Sequence, residues 1–330
     1  MRNQTLSTIA AAALLASVAI TPSLAADKIA LSQQQSTVAS VAGIAVENGY
    51  FKEAGIDFQS SWALRGIDTI QSVGAGQADF GIAAVTPIVA ARASGLKLVI
   101  VGLHSHGFPG FLIASKKNAG LKKLEDFKGK KIGVQVGTGA HTVLLMAIES
   151  VKLKPSDFQI QNVRVNDMPG AMQGGTFDAV LGWVPFTSRI LKMGTGVVAI
   201  GPKTFEEMVG ITYPLLLITT EDTIKKRPDA VQRFMNAWVK AQRFADKDHA
   251  GTVRILRKTL GDRIKGFDDA TLESMIYVYA HDRTALTDGD VADVRKMRDY
   301  MAATKKIKTT PDLATLIDNS FAKKAEATVK

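Results

Sequence analysis

The sequence predicts an α/β protein made of two related lobes, and three patterns predict it. Short apolar runs alternate with helical stretches through the first two thirds of the chain. The alternation restarts near residue 130. A short motif also recurs in each half: GQADFGI at 76–82 leads to Pro87, and GTFDAV at 175–180 leads to Pro185. Each copy reads as a helix stopped by glycine, an aspartate opening a buried strand, and a proline suited to the start of the next helix.

Taken in order, residues 28–32 form a strand and 38–48 a helix ended by Gly49. Residues 56–59 alternate as a strand does, 67–73 form a short helix, and 78–82 and 96–101 are short apolar strands. Strands separated by single helices predict mainly parallel order. The second set comprises a strand at 130–136 and a helix at 140–151 with Leu144, Ala147, Ile148 and Val151 on one face. Strands at 158–165, 179–181 and 197–200 complete it. Beyond Tyr213 the chain turns helical, at 229–245, 250–260, 269–279 and 288–303. Pro228 sits at a helix start, where its missing N–H costs nothing.

The first residues indicate where the chain works. Arg2 opens a polar start, residues 9–20 are apolar, and Thr21-Pro22 and Ser23-Leu24-Ala25 close the segment. This is the layout of a secretory signal peptide, with cleavage near Ala25. A membrane anchor needs about 20 apolar residues, and Pro22 ends the run before that. The chain has no cysteine, which excludes disulfides, a thiol nucleophile, thiolate metal sites and an acylated cysteine anchor. A soluble periplasmic protein is therefore expected. The net charge of +10 comes with lysines at 116–117, 122–123, 128, 130–131 and 305–306, without interleaved aromatics. That pattern predicts solvated surface and no nucleic-acid partner.

Several segments carry a family resemblance when read together. They are NGYFKEAGI at 48–56, GQADFG at 76–81, LEDFKGKKIGV at 124–134, GTGAH at 137–141, FDAV at 177–180 and WVPF at 183–186. Arg227-Pro228-Asp229 then leads into a helix holding Phe234, Ala237 and Trp238. In order and spacing these resemble the solute-binding proteins of ABC importers in the nitrate/sulfonate/taurine and thiamine-pyrimidine group. The resemblance spans nearly the whole chain after the leader. It implies a type II periplasmic binding protein: two Rossmann-like lobes joined by two crossovers, with a ligand cleft between them. The expected division is 1–25 as signal peptide, 26–112 plus 213–330 as the first lobe and 113–212 as the second. The crossings are expected near Phe111-Leu112-Ile113 and Tyr213-Pro214-Leu215. The implied partners are a small solute and an ABC permease and ATPase complex, with the carrier itself a monomer.

Ligands of open α/β sheets bind beyond the carboxyl ends of the strands. That rule selects segments 33–37, 62–66, 84–86, 104–106, 137–141 and 182–185, which contain one arginine and no carboxylate. The candidate ligand residues are Gln35, Ser36, Trp62, Arg65, Thr86, His104, Thr138, His141 and Trp183. Thr37, Thr86 and Thr138 are placed to cap helices and offer hydroxyls to an oxyanion, where helix dipoles also favour negative charge. Arg65 can grip a sulfonate, carboxylate or phosphate with two parallel hydrogen bonds, or serve as a surface arginine. Trp62 and Trp183 suit the organic part of a ligand, or the core. Related sulfonate binders carry a pattern like Gly137-Thr138-Gly139-Ala140-His141, which places His141 as a donor to an anion. His104, His106 and His141 lack a carboxylate or thiolate to join them, so no metal and no cofactor is expected.

These residues favour a carrier of a small organic anion of the sulfonate or taurine class. A pyrimidine or aromatic carboxylate held between Trp62 and Trp183 is the alternative. Thiamine-pyrimidine synthases share the architecture but carry a cysteine-rich catalytic segment that this chain lacks. Gly137-Thr138-Gly139 is no dinucleotide fingerprint, because Thr142 stands where the last glycine is needed, and no phosphate loop or serine elbow is present. No catalytic residue is therefore expected.

Overall fold

A computed structural model describes residues 26–329 except Gln35, Thr37, Val38 and Ala39; the expected leader and the candidate Gln35 lie outside the described residues. The first sheet begins with β1 (Asp27–Gln34), α1 (Ser40–Glu47), α2 (Tyr50–Glu53), β2 (Ile56–Ala63) and α3 (Gly66–Gly74). It continues through β3 (Phe80–Ala84), α4 (Val85–Ala93) and β4 (Leu98–Ser105). The chain then enters the second sheet with β5 (Gly110–Ser115), β6 (Lys131–Val134), α5 (Gly139–Ser150), β7 (Gln159–Asn162) and α6 (Met168–Gln173). β8 (Ala179–Trp183), α7 (Phe186–Lys192), β9 (Gly196–Ile200) and α8 (Pro202–Val209) complete that lobe. β10 (Leu215–Thr220) returns to the first sheet. Six helices follow: α9 (Glu221–Lys226), α10 (Pro228–Lys247), α11 (His249–Leu260), α12 (Asp269–Ile276), α13 (Asp288–Ala303) and α14 (Leu313–Leu316), before α15 (Ser320–Thr328) ends the described chain.

The two sheets repeat one topology. Their orders are β2-β1-β3-β10-β4 and β7-β6-β8-β5-β9, so β1 to β4 of one lobe correspond to β6 to β9 of the other. In each sheet one strand, β10 or β5, runs antiparallel to both neighbours. That strand is the first one after a crossing, so each sheet is mixed where the sequence predicted mainly parallel order. Two further expectations change with it. The stretch after Tyr213 opens with a strand, not a helix, because LLLITT pairs with β3 and β4 in the middle of the first sheet. Phe111, Leu112 and Ile113 lie inside β5, paired with β8, so the first crossing falls at residues 106–109.

The recurring motif has a defined job in both lobes. The Asp79 N–H donates to the Ala30 carbonyl while the Ala30 N–H donates to Asp79 Oδ2 at 2.8 Å. In the second lobe the Asp178 N–H donates to the Lys131 carbonyl and the Lys131 N–H to Asp178 Oδ2 at 3.0 Å. Each aspartate thus closes the open end of a parallel strand pair, satisfying backbone groups that the ladder leaves over. The preceding Gly76 and Gly175 turn the chain at φ 71 and 70°, a left-handed conformation glycine adopts without strain.

α10 ties the C-terminal helices to the first sheet. Its buried positions Val231, Phe234, Trp238, Ala241 and Ala245 follow the helical period. Phe234 stacks on Phe80 of β3 at 3.9 Å and lies 5.5 Å from Trp238. Arg227, just before α10, donates to Asp79 Oδ1 at 2.8 Å and to the Lys28 carbonyl at 2.7 Å. No helix of the described residues is long and apolar enough to cross a membrane.

Candidate functional site

A cleft of about 330 Å³ opens between the lobes at the carboxyl ends of the strands. The first lobe contributes Gln34 at the end of β1, Arg65 to Ile67 after β2, and Ala84 at the end of β3. The second contributes Val136 to Ala140 after β6 and Trp183 at the end of β8. The crossings supply Phe108, Pro109, Tyr213 and Leu215, and Tyr279 reaches in from the C-terminal segment.

Three helices begin at this cleft. α4 has no side-chain cap and no acidic residue in its first turn. α5 is capped by Thr138, whose hydroxyl donates to the Gln135 carbonyl at 2.7 Å and accepts from the His141 N–H at 3.4 Å; its first turn is also free of acids. Both helix starts therefore face the cleft with unneutralised positive ends. α3 differs. Asp68 in its first turn accepts from the Arg65 N–H at 3.1 Å, and its two oxygens grip the Arg65 guanidinium, Nε to Oδ2 at 3.1 Å and Nη2 to Oδ1 at 2.5 Å. The pairing raises the Arg65 pKa above its usual value. An anion reaching Arg65 must compete with this carboxylate, which the sequence segments did not include.

The walls are mostly apolar: Ile67, Pro87, Ala90, Val136, Trp183 and Leu215 join the rings of Phe108, Tyr213 and Tyr279. Burial holds both phenols above their usual pKa, so they remain neutral donors. Among the described residues lining the cleft there is no carboxylate, imidazole or thiol. The surface offers hydrogen-bond donors, helix ends and apolar area, with no base poised beside a nucleophile.

Of the residues predicted from sequence, Arg65, Thr138 and Trp183 line the cleft. Thr86 is buried behind it, with Oγ1 3.3 Å from the Tyr213 hydroxyl. Ser36 is buried, its N–H donating to the Gln34 carbonyl, and it is Gln34 that reaches the lining. Trp62 lies outside the lining beneath the Arg263 guanidinium, 5.2 Å from its ring centre. His104 is a correction. β4 runs on to Ser105, so His104 is a strand residue packed in the core, with its ring 5.5 Å from His281 and 5.7 Å from Trp238. His141 is half-buried on α5 outside the lining, its pKa lowered by burial and then by the Lys306 ammonium. His106 instead meets Asp282 at 2.9 Å. The three histidines therefore occupy separate environments, and no group of three metal-ligating side chains is assembled among the described residues. Sequence reasoning missed Phe108, Tyr213 and Tyr279. The first two were visible only as residues at or near a crossing; Tyr279 had no signal.

This architecture is that of a type II periplasmic binding protein, with two five-stranded mixed sheets around a ligand cleft. The chain belongs to the NMT1/THI5-like family, whose profile matches residues 36–249. It is 27% identical over 292 residues to a putative aliphatic sulfonates-binding protein of Bacillus subtilis, covering 86% of this chain and 83% of that one. It is also 26% identical over 214 residues to a 4-amino-5-hydroxymethyl-2-methylpyrimidine phosphate synthase of Saccharomyces cerevisiae, covering 60% of each. Among solved structures, the alkanesulfonate-binding protein of Xanthomonas axonopodis pv. citri bound to MOPS superposes with a TM-score of 0.74 at 18% identity, covering 88% of this chain and 98% of that one.

Proposed function

We propose that the protein is the periplasmic substrate-binding component of an ABC importer, capturing a small organic anion in the interlobe cleft and delivering it to a membrane permease. The observation that carries this reading is the meeting of two uncapped or singly capped helix starts, α4 and α5, with an apolar cleft. Such a site suits a molecule with an acidic head and an apolar body, as an alkanesulfonate has. The name of the Bacillus relative supports the same class.

One observation favours a second reading of the ligand. Phe108, Trp183, Tyr213 and Tyr279 give the cleft more aromatic surface than a short alkyl chain requires, which suits an aromatic carboxylate or a pyrimidine. The yeast relative is named as a synthase, yet the cleft described here holds no acid–base pair, and a carrier role fits its chemistry better.

The test is a thermal-shift screen after unfolding and refolding to remove carried-over ligand. The panel contains alkanesulfonates, taurine, nitrate, aromatic carboxylates and pyrimidines. At 100 times its dissociation constant a ligand adds about 2.7 kcal/mol, a readily measured shift. A shift from sulfonates supports the first reading and a shift from aromatic acids or pyrimidines alone the second. No shift from any member refutes both.

A further inference from the structure

Tyr213 combines two features that need an explanation. Its backbone sits at φ 49° although it carries a large side chain, a left-handed conformation that is strained for such a residue. Its phenol is nonetheless fully buried at the inner end of the cleft. Phe108, on the other crossing, meets the ring edge-on at 5.4 Å, and Glu206 of α8 fixes Phe108 by accepting its N–H at 2.5 Å.

The tip of the phenol lies between the lobes. On one side its hydroxyl is 3.3 Å from Thr86 Oγ1, in the first turn of α4. On the other side is Gly139, the first residue of α5. A Cβ at Gly139 would overlap both the hydroxyl and the Cζ of Tyr213. The Gly139 backbone is not left-handed, so its conformation does not call for glycine. The contact with Tyr213 does.

We propose that Tyr213 is the stop against which the second lobe closes, with Gly139 as the notch that receives it. The phenol then fixes two things together: the closed interlobe angle and the depth of the cleft, hence the size of molecule that a closed cleft accepts. The strained backbone keeps the ring aimed between the helices instead of folding away with the crossing. This assignment rests on the proposed carrier function only in its MOPS arm; the Tyr213–Gly139 contact seen in this structure is what the distances measured without ligand report.

The chain has no cysteine, so Gln71→Cys on α3 and Gln173→Cys on α6, both exposed, give a single pair of spin labels across the lobes. Interspin distances are measured in four backgrounds without ligand and with MOPS. The expected order is longest for Gly139→Ala, intermediate for wild type and shortest for Tyr213→Leu. Gly139→Ala combined with Tyr213→Leu should return to or below the wild-type distance, and Gly139→Ala alone should weaken MOPS binding about ten-fold or more. A Gly139→Ala distance equal to wild type, or no recovery in a double variant with native circular dichroism, overturns the stop. If MOPS fails to bind wild type while the ligand-free order holds, the stop stands and that sulfonate is not a ligand. If neither binding nor the order is seen, the stop is overturned on the distances alone.

Discussion

Lowering the pH from about 7.5 to about 4.5 should cost the folded protein about 2.5 kcal/mol through His281 alone. Both ring nitrogens of His104 are buried without a hydrogen-bond partner, and those of His281 are buried beside the His104 and Ile276 carbonyls. Around His281 stand the His104 ring at 5.5 Å, Tyr277 at 6.2 Å and Tyr279 at 6.3 Å, with His106 and Asp282 as the nearby charged or titratable groups. Burial pushes its pKa down from 6.5 to about 4, outweighing the nearby carbonyls of His104 and Ile276, which favour the proton. Between those two values the unfolded chain binds a proton that the folded chain refuses. Stability therefore falls as the pH drops from 6.5 toward 4 and levels off below. A shift of about 2.5 units at about 1.36 kcal/mol each gives roughly 3.4 kcal/mol in full, most of it lost by pH 4.5. Urea unfolding of wild type and His281→Phe at about pH 7.5, 6, 5 and 4.5 measures it. Phenylalanine keeps a packed ring without the titration, and carboxylates common to both proteins cancel. The gap should widen in favour of His281→Phe by about 2.5 kcal/mol across the range. Parallel pH profiles would refute the argument.

Three other outcomes are expected. Asp68→Asn frees the Arg65 guanidinium, so sulfonate affinity should rise several-fold by calorimetry, whereas Arg65→Ala should lower it about ten-fold. Trp183→Leu should weaken an aromatic acid about ten-fold and a short alkanesulfonate much less, separating the two ligand readings by isothermal titration. Asp290 is buried and accepts two hydrogen bonds from Arg283 Nη2, at 2.8 and 2.9 Å, so Asp290→Ala should cost about 3–5 kcal/mol in urea unfolding. The same bonds help hold the Asp290 pKa below its usual value, so its contribution persists above pH 4 and disappears as the pH falls through that lowered value.

How much of this was legible in the sequence depended on whether the signal was local. The GQADFG and FDAV segments could be read because one residue, Asp79 or Asp178, meets the same need in each lobe, and that need is set by neighbouring backbone. α13 lies at the expected residues, and its start is fixed locally by the reciprocal caps of Thr287 and Asp290. β5 and β10 could not. Their partners are strands far away in the chain, and an apolar run such as LLLITT has no periodicity that separates a central strand from a buried helix. His104 was misplaced for a related reason. β4 continues past the apolar run into polar residues, because the buried His104 and Ser105 still occupy strand positions.

The same distinction divides the cleft. Its residues Arg65, Thr138 and Trp183 sit at strand ends and helix starts that the crevice rule finds from sequence alone. Its inner wall is built from Phe108 and Tyr213, at the two crossings, and from Tyr279, which arrives after β10 and the four helices α9 to α12. Crossing residues must rotate when the lobes move, yet here they also touch whatever the cleft contains. A ligand that fits against Phe108 and Tyr213 therefore acts directly on the segments whose dihedral angles set the lobe angle. A binding site placed wholly within one lobe has no such lever, since its occupancy would stabilise open and closed forms equally and shift neither. Selectivity and closure should for that reason change together when Phe108 or Tyr213 is replaced, and separately when Arg65 or Trp183 is.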